Sequence, residues 1–151
     1  MSPRRRLSAA VSAGSMVLAL TACSGLEKPA PIVSIVSSGT SLYTEAQVFC
    51  FEGQTLAEAN CARRATEVKE LKVRAGQPVG IDLSKEVAER SWIYEIGEGE
   101  QRQQSEVRVD DHYYSLQLSI GSGVRVPLVI RTVDVENQVP TGEWQFVLVG
   151  E

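Results

Sequence analysis

The chain has 151 residues, of which 23% are charged, and a net charge of −4. The acidic balance argues against nucleic acid as a partner and against electrostatic docking on anionic lipid. One histidine and three cysteines exclude a blue-copper centre, which takes two histidines and a cysteine.

Taken in chain order, the first element is a targeting segment. Arg4, Arg5 and Arg6 form a positive cluster, residues 9–20 are mostly apolar and uncharged, and residues 20–23 read Leu-Thr-Ala-Cys. A basic start, a short apolar run and small residues before a processing point make a secretory signal. The run is 12 residues long, and a spanning helix needs roughly 20. The arginine run leaves general secretion and twin-arginine export both open.

The Leu-x-Ala-Cys ending resembles the lipobox of bacterial lipoproteins. That resemblance implies that residues 1–22 are a cleaved signal peptide and that the Cys23 thiol carries diacylglycerol. A thiol suits the position because its deprotonated form is a good nucleophile. Two or three acyl chains then hold the protein on the outer face of the cytoplasmic membrane, where one chain would bind only marginally. Removing residues 1–22 leaves 129 residues, with 12 basic against 19 acidic side chains and a net charge of −7. That length suits one domain with a real core. Residues 23–31, with Gly25, Pro29 and Pro31, read as a tether, and residues 32–151 as the domain.

From Ile32 onward short apolar-polar alternation dominates, the period-two mark of half-buried strands. Residues 32–37 form a first strand. Residues 42–51 form a second, with Leu42, Ala46, Val48 and Cys50 on one face and Tyr43, Phe49 and Phe51 on the other. Cys50 and Cys61, an even pair in an exported chain, read as a disulfide. A metal site would need three or four ligands, and His112 is the only further candidate beside them. Between the cysteines, Thr55 and Glu58 fit a helix capping box.

Residues 70–74 and 79–83 are strands about a turn at residues 75–78. Ser84 starts a brief helical turn before the strand of residues 91–97, on which Trp92, Tyr94 and Ile96 share a face. Residues 98–105 are a polar loop and 106–109 a short strand, followed by a turn at Asp110 and Asp111. Tyr114, Leu116, Leu118 and Ile120 alternate up to a glycine turn at residues 121–123. A long strand covers 127–136, a turn 137–142, and Trp144, Phe146 and Leu148 alternate to the C-terminus. Eight or nine short strands with turn signals between them predict an all-β, immunoglobulin-like antiparallel β-sandwich with one or two short helical turns.

Site by site, the chemistry is sparse. Asp111 and His112 are neighbours in a turn, whereas a catalytic triad needs groups converging from separate places. Asp110 and Asp111 lack the alternating oxygen ligands of a calcium loop. Trp92 and Trp144 read as core. Of Tyr113 and Tyr114, opposite in parity, one should be exposed as a contact residue. Lys69, Lys72 and Arg74 read as charges guarding an edge strand.

"LKVRAGQPVGIDL", "KEVAERSW" and "PTGEW", together with the lipobox and the early cysteine pair, resemble a family of small actinobacterial lipoproteins known only as a domain of unknown function. The resemblance covers most of residues 32–149 and implies an exported sandwich without assigning an activity. The first of these stretches, followed by a tryptophan strand, is also similar to the chagasin-like inhibitors of cysteine proteases. Those insert a Thr-Gly loop where this chain has Glu89, Arg90 and Ser91. The expectation is a non-enzymatic, lipid-anchored accessory module without cofactor or metal. Its partner would be an envelope protein or cell-wall component.

Overall fold

The structure, a computed structural model, describes residues 29–51, 61–136 and 139–151. Cys23, the signal peptide, most of the tether and the capping pair Thr55 and Glu58 lie outside those residues. The described residues form eleven strands: β1 (Ile32–Ser37), β2 (Thr40–Glu45), β3 (Val48–Phe49), β4 (Ala62–Arg63), β5 (Lys69–Val73), β6 (Val79–Leu83), β7 (Trp92–Ile96), β8 (Gln103–Gln104), β9 (Tyr113–Leu116), β10 (Arg125–Asp134) and β11 (Val139–Gly150). One sheet runs β2-β1-β6-β9. The other runs β4-β3-β11-β10-β7-β8, with β5 alongside β11.

The alternation explains the strands. In β1, Val33, Ile35 and Ser37 are buried between more exposed neighbours. Ser38 and Gly39, at φ 50° and 79°, turn the chain into β2. Two consecutive left-handed residues make the hairpin turn whose twist matches that of the strands.

The expected single strand over residues 42–51 is instead two, in different sheets. Ala46 N–H donates to the Pro31 carbonyl, and Gln47 N–H to that of Glu143, so the chain changes sheet at this point. The change breaks the alternation: Phe49 is buried and Val48 is not, while Ala46 and Cys50 of the Val48 face are buried. Cys50 is fully buried and bonded to Cys61, their Cα atoms 4.3 Å apart.

Four further expectations need correction. The sheets are not wholly antiparallel, because β5 pairs in parallel with β11 from Lys69↔Phe146 to Val73↔Gly150. Residues 106–109 form no strand. Arg108 touches the ladder only through a bridge to Trp92, and Gln103–Gln104 pairs with β7 instead. The turn expected over 137–142 gives way to strand from Val139 onward. Pro140 is accommodated opposite Val133, where the register with β10 shifts, since proline enters a sheet at such irregularities. β9 ends at Leu116, short of the expected Ile120. The helical turn after Ser84 spans Lys85–Ala88 (α1), although the Ser84 hydroxyl makes no capping bond. A 3-10 turn at Gly99–Gln101 adds a second.

The two sheets enclose one apolar cluster, a β-sandwich in which Val33, Ile35, Ile81, Leu128, Ile130 and Leu148 are all fully buried. Trp92 and Trp144 lie in it at 0% exposure. Each indole N–H finds a backbone carbonyl, Asp111 at 3.1 Å and Pro31 at 2.9 Å, as a buried tryptophan requires. The registers put Ile32, Leu83 and Trp92 at the end where the chain enters. Ser37, Val79, Leu116 and Ile96 fall toward the other end.

Candidate functional site: two depressions beside strand β7

Strand β7 presents a different chemistry on each side. Trp92, Tyr94 and Ile96 point inward, so Ile93 and Glu95 point outward. Yet Ile93 and Glu95 are 6% and 8% exposed. The stretch after the strand folds back along its edge: Ser105 N–H donates to the Tyr94 carbonyl, and the Ser105 hydroxyl accepts from Tyr94 N–H.

On this outer side a chain of charges runs across three strands. Arg131 stands directly opposite Glu143 and one step diagonally from Glu95. Its Nη1 lies 2.6 Å from Glu95 Oε1, and its Nε 2.8 Å from Glu143 Oε2. The other Glu143 oxygen accepts from Gln145 Nε2 at 2.6 Å, and the other Glu95 oxygen is 3.6 Å from Arg102. Burial opposes the Arg131 cation, but its bonds to Glu143 and Glu95 outweigh that and raise its pKa. Of these side chains, Glu95 and Arg131 floor a depression of about 420 Å³ walled by Val107, Val133 and Pro140. Every carboxylate oxygen of the two glutamates is occupied, so the floor is a closed network rather than a free charge.

The inner side opens where the two sheets part, between β7–β8 and β9. Tyr94 and Tyr114 stack across the gap with ring centroids 5.5 Å apart. The Arg108 guanidinium lies 3.5 Å from the Tyr114 ring centroid and 5.9 Å from that of Trp92. Asp111 fixes it at 2.9 Å. Burial, then the hydrogen bond with Tyr114, push the Tyr94 hydroxyl above its ordinary value. Beyond this stack lies a second depression, of about 360 Å³, bordered by Gln103, Gln104, Gln117 and Leu118. Gln104 borders both depressions.

The residues singled out from sequence fall elsewhere or in supporting roles. Asp111 serves Arg108 and Trp92, while His112 is exposed and its carbonyl accepts from Leu83 N–H. Tyr113 is the exposed member of its pair at 55%, and Tyr114 turns inward. On β5, Lys69 donates to the Tyr43 carbonyl, and Lys72, with Arg74 just past the strand, faces Glu151. Arg90 is tied down, donating to the Cys50 carbonyl at 2.8 Å and lying over the Phe49 ring. Among the described residues no group of three or more His, Cys, Asp or Glu side chains could hold a metal. No helix among them is long and apolar enough to cross a membrane.

Sequence reasoning missed the Glu95–Arg131–Glu143 chain and the glutamine border. The only signal for the first was a charged residue at a mid-strand position in each of three alternating segments. For the second it was three glutamines near two tyrosines. Comparison with protein-family models, with curated proteins and with solved structures finds no match for this chain.

Proposed function

We propose that the protein is a non-enzymatic binding module of the cell envelope, with an immunoglobulin-like sandwich held on the outer face of the cytoplasmic membrane by an acylated Cys23. The observation that carries this reading is the distribution of the three cysteines. Cys50 and Cys61 are bonded to each other, which suits an oxidising compartment. Cys23 is left as the third, directly after a basic, apolar and small-residue leader. The two-sheet architecture, with Trp144 packed on Phe49 beside the disulfide, supports the immunoglobulin-like assignment. The depression between β8 and β9 supports the binding role, because it opens on the half of the sandwich away from the chain's entry. Its partner is an envelope protein or a cell-wall component.

The anchor is tested by feeding labelled fatty acid to cells that make the full chain or its Cys23→Ser variant. The full chain should carry the label and sediment with membranes, and the variant should do neither. An unlabelled, soluble wild-type chain would overturn the anchor. A photo-crosslinking residue at Gln103 should capture an envelope component in living cells, and one at Lys85 should not. Equal capture at both positions, or none at either, would overturn the binding role.

A further inference from the structure

The inner depression differs from its neighbour in carrying no charge. Nearly a quarter of the chain is Asp, Glu, Lys or Arg, yet none of the residues lining this depression is charged. The outer one contains Glu95, Arg131 and Asp134. What borders the inner one is three side-chain amides, on Gln103, Gln104 and Gln117. All three are exposed, and among the described residues no hydrogen bond engages their amides. An amide presents donors and an acceptor together, which matches a hydroxyl, itself both donor and acceptor. The Tyr94 and Tyr114 hydroxyls, hydrogen-bonded to each other, keep acceptor lone pairs at the same site. Between these polar groups lie Leu116 and Leu118, an apolar surface for C–H faces.

We propose, building on the binding-module reading, that this depression holds a segment of uncharged glycan, its hydroxyls met by Gln103, Gln104 and Gln117. Sugar rings combine hydroxyl edges with C–H faces and need no counter-charge. The charge nearest the tyrosine stack, Arg108, is already answered by Asp111. The depression's volume of about 360 Å³ lies in the range of small-ligand sites. An added peptide strand fits less well. The flanking strands are two and four residues long, too short to template a ladder.

The test uses the full chain in a detergent without a sugar headgroup. Titration calorimetry is run with cellohexaose, maltohexaose and N,N′-acetylated chitohexaose as neutral probes. An oligogalacturonate is the acidic counterpart, and an uncharged hexapeptide the competitor. At least one neutral probe should saturate the protein, with the acidic one at least about tenfold weaker. The Gln103→Ala/Gln117→Ala double variant should lose about tenfold in affinity at unchanged melting temperature, and Lys85→Ala should lose nothing. No saturation by any neutral probe up to about 10 mM would overturn the proposal, as would equal binding of the acidic oligomer, an unaffected double variant, or displacement by the hexapeptide. If the glycans fail while crosslinking at Gln103 persists, the glycan falls and the envelope module stands. If the crosslink is also lost, the binding role falls with it.

Discussion

The two depressions on either side of β7 share Gln104 and little else. In the outer one the charges on its floor are answered by other charges of the protein: Arg131 by Glu95 and Glu143, and Glu95 again by Arg102. In the inner one the polar groups are neutral, and the three glutamine amides are unanswered. The difference separates two uses of polarity. Where charges are sunk into a sheet face they must satisfy one another, because an unpaired buried charge is too costly to leave. Where polar groups stay neutral they can face water at little cost and remain available to a ligand. A large concave surface is therefore a poor guide to function here, and the state of its hydrogen bonds is a better one.

The comparison breaks most visibly at Arg131. Arg131→Met leaves Glu143 without a cation and Glu95 with only Arg102 at 3.6 Å, and should cost about 3 kcal/mol in urea unfolding. A loss below about 1 kcal/mol would class the network with ordinary surface pairs. Next comes the cross-link, which lies outside both depressions. Replacing Cys50 and Cys61 by serine should cost about 3 kcal/mol on the chain-entropy account and leave both depressions intact. Loss of any binding at Gln103 in that variant, with the fold retained, would show that the regions are not independent.

A smaller effect is expected at high pH. The folded state holds Tyr94 above the ordinary tyrosine value of 10.0, so its contribution is fully present below that value. It is lost as pH rises through the folded-state value. Tyr94→Phe should flatten the alkaline limb of the stability curve and remove one phenol from the alkaline ultraviolet titration. An unchanged limb would mean that the stack does not control that ionisation. The smallest change in stability should come from Gln103→Ala with Gln117→Ala, within about 0.5 kcal/mol. A larger loss would show the amides to be structural and erase the contrast.

Much of the frame was readable from sequence because it rests on local alternation. β1, β6, the Trp92 strand, the body of β10 and the Trp144-Phe146-Leu148 face all follow period two, and both tryptophans are core as their positions imply. The cysteine pair was readable by elimination. What escaped depends on partners far along the chain. The sheet change at Ala46 is set by bonds to Pro31 and Glu143, and the parallel setting of β5 by a strand about 75 residues later. Val107 and Val109 alternate like a strand but stay exposed, because only Arg108 finds a bridge partner. The charge network joins Glu95, Arg131 and Glu143 by register alone, which no local pattern carries. Gln103 and Gln104 read as an ordinary polar loop and Gln117 as one polar position of an alternating stretch, since what joins them is β9 setting Tyr114 against Tyr94 of β7.

Strand β11 is the hub of the larger sheet, bordered by β3, β5 and β10. All three are synthesised before it. Nascent β3 and β5 therefore emerge with no permanent neighbour on that side until some seventy to ninety residues more have followed. Closing such distant loops is slow, so the polypeptide stays threadable for as long as the hub is withheld. Frameshifts or nonsense codons upstream of Val139 should leave a product unable to assemble half its architecture, one for proteases to clear rather than a partly working fragment.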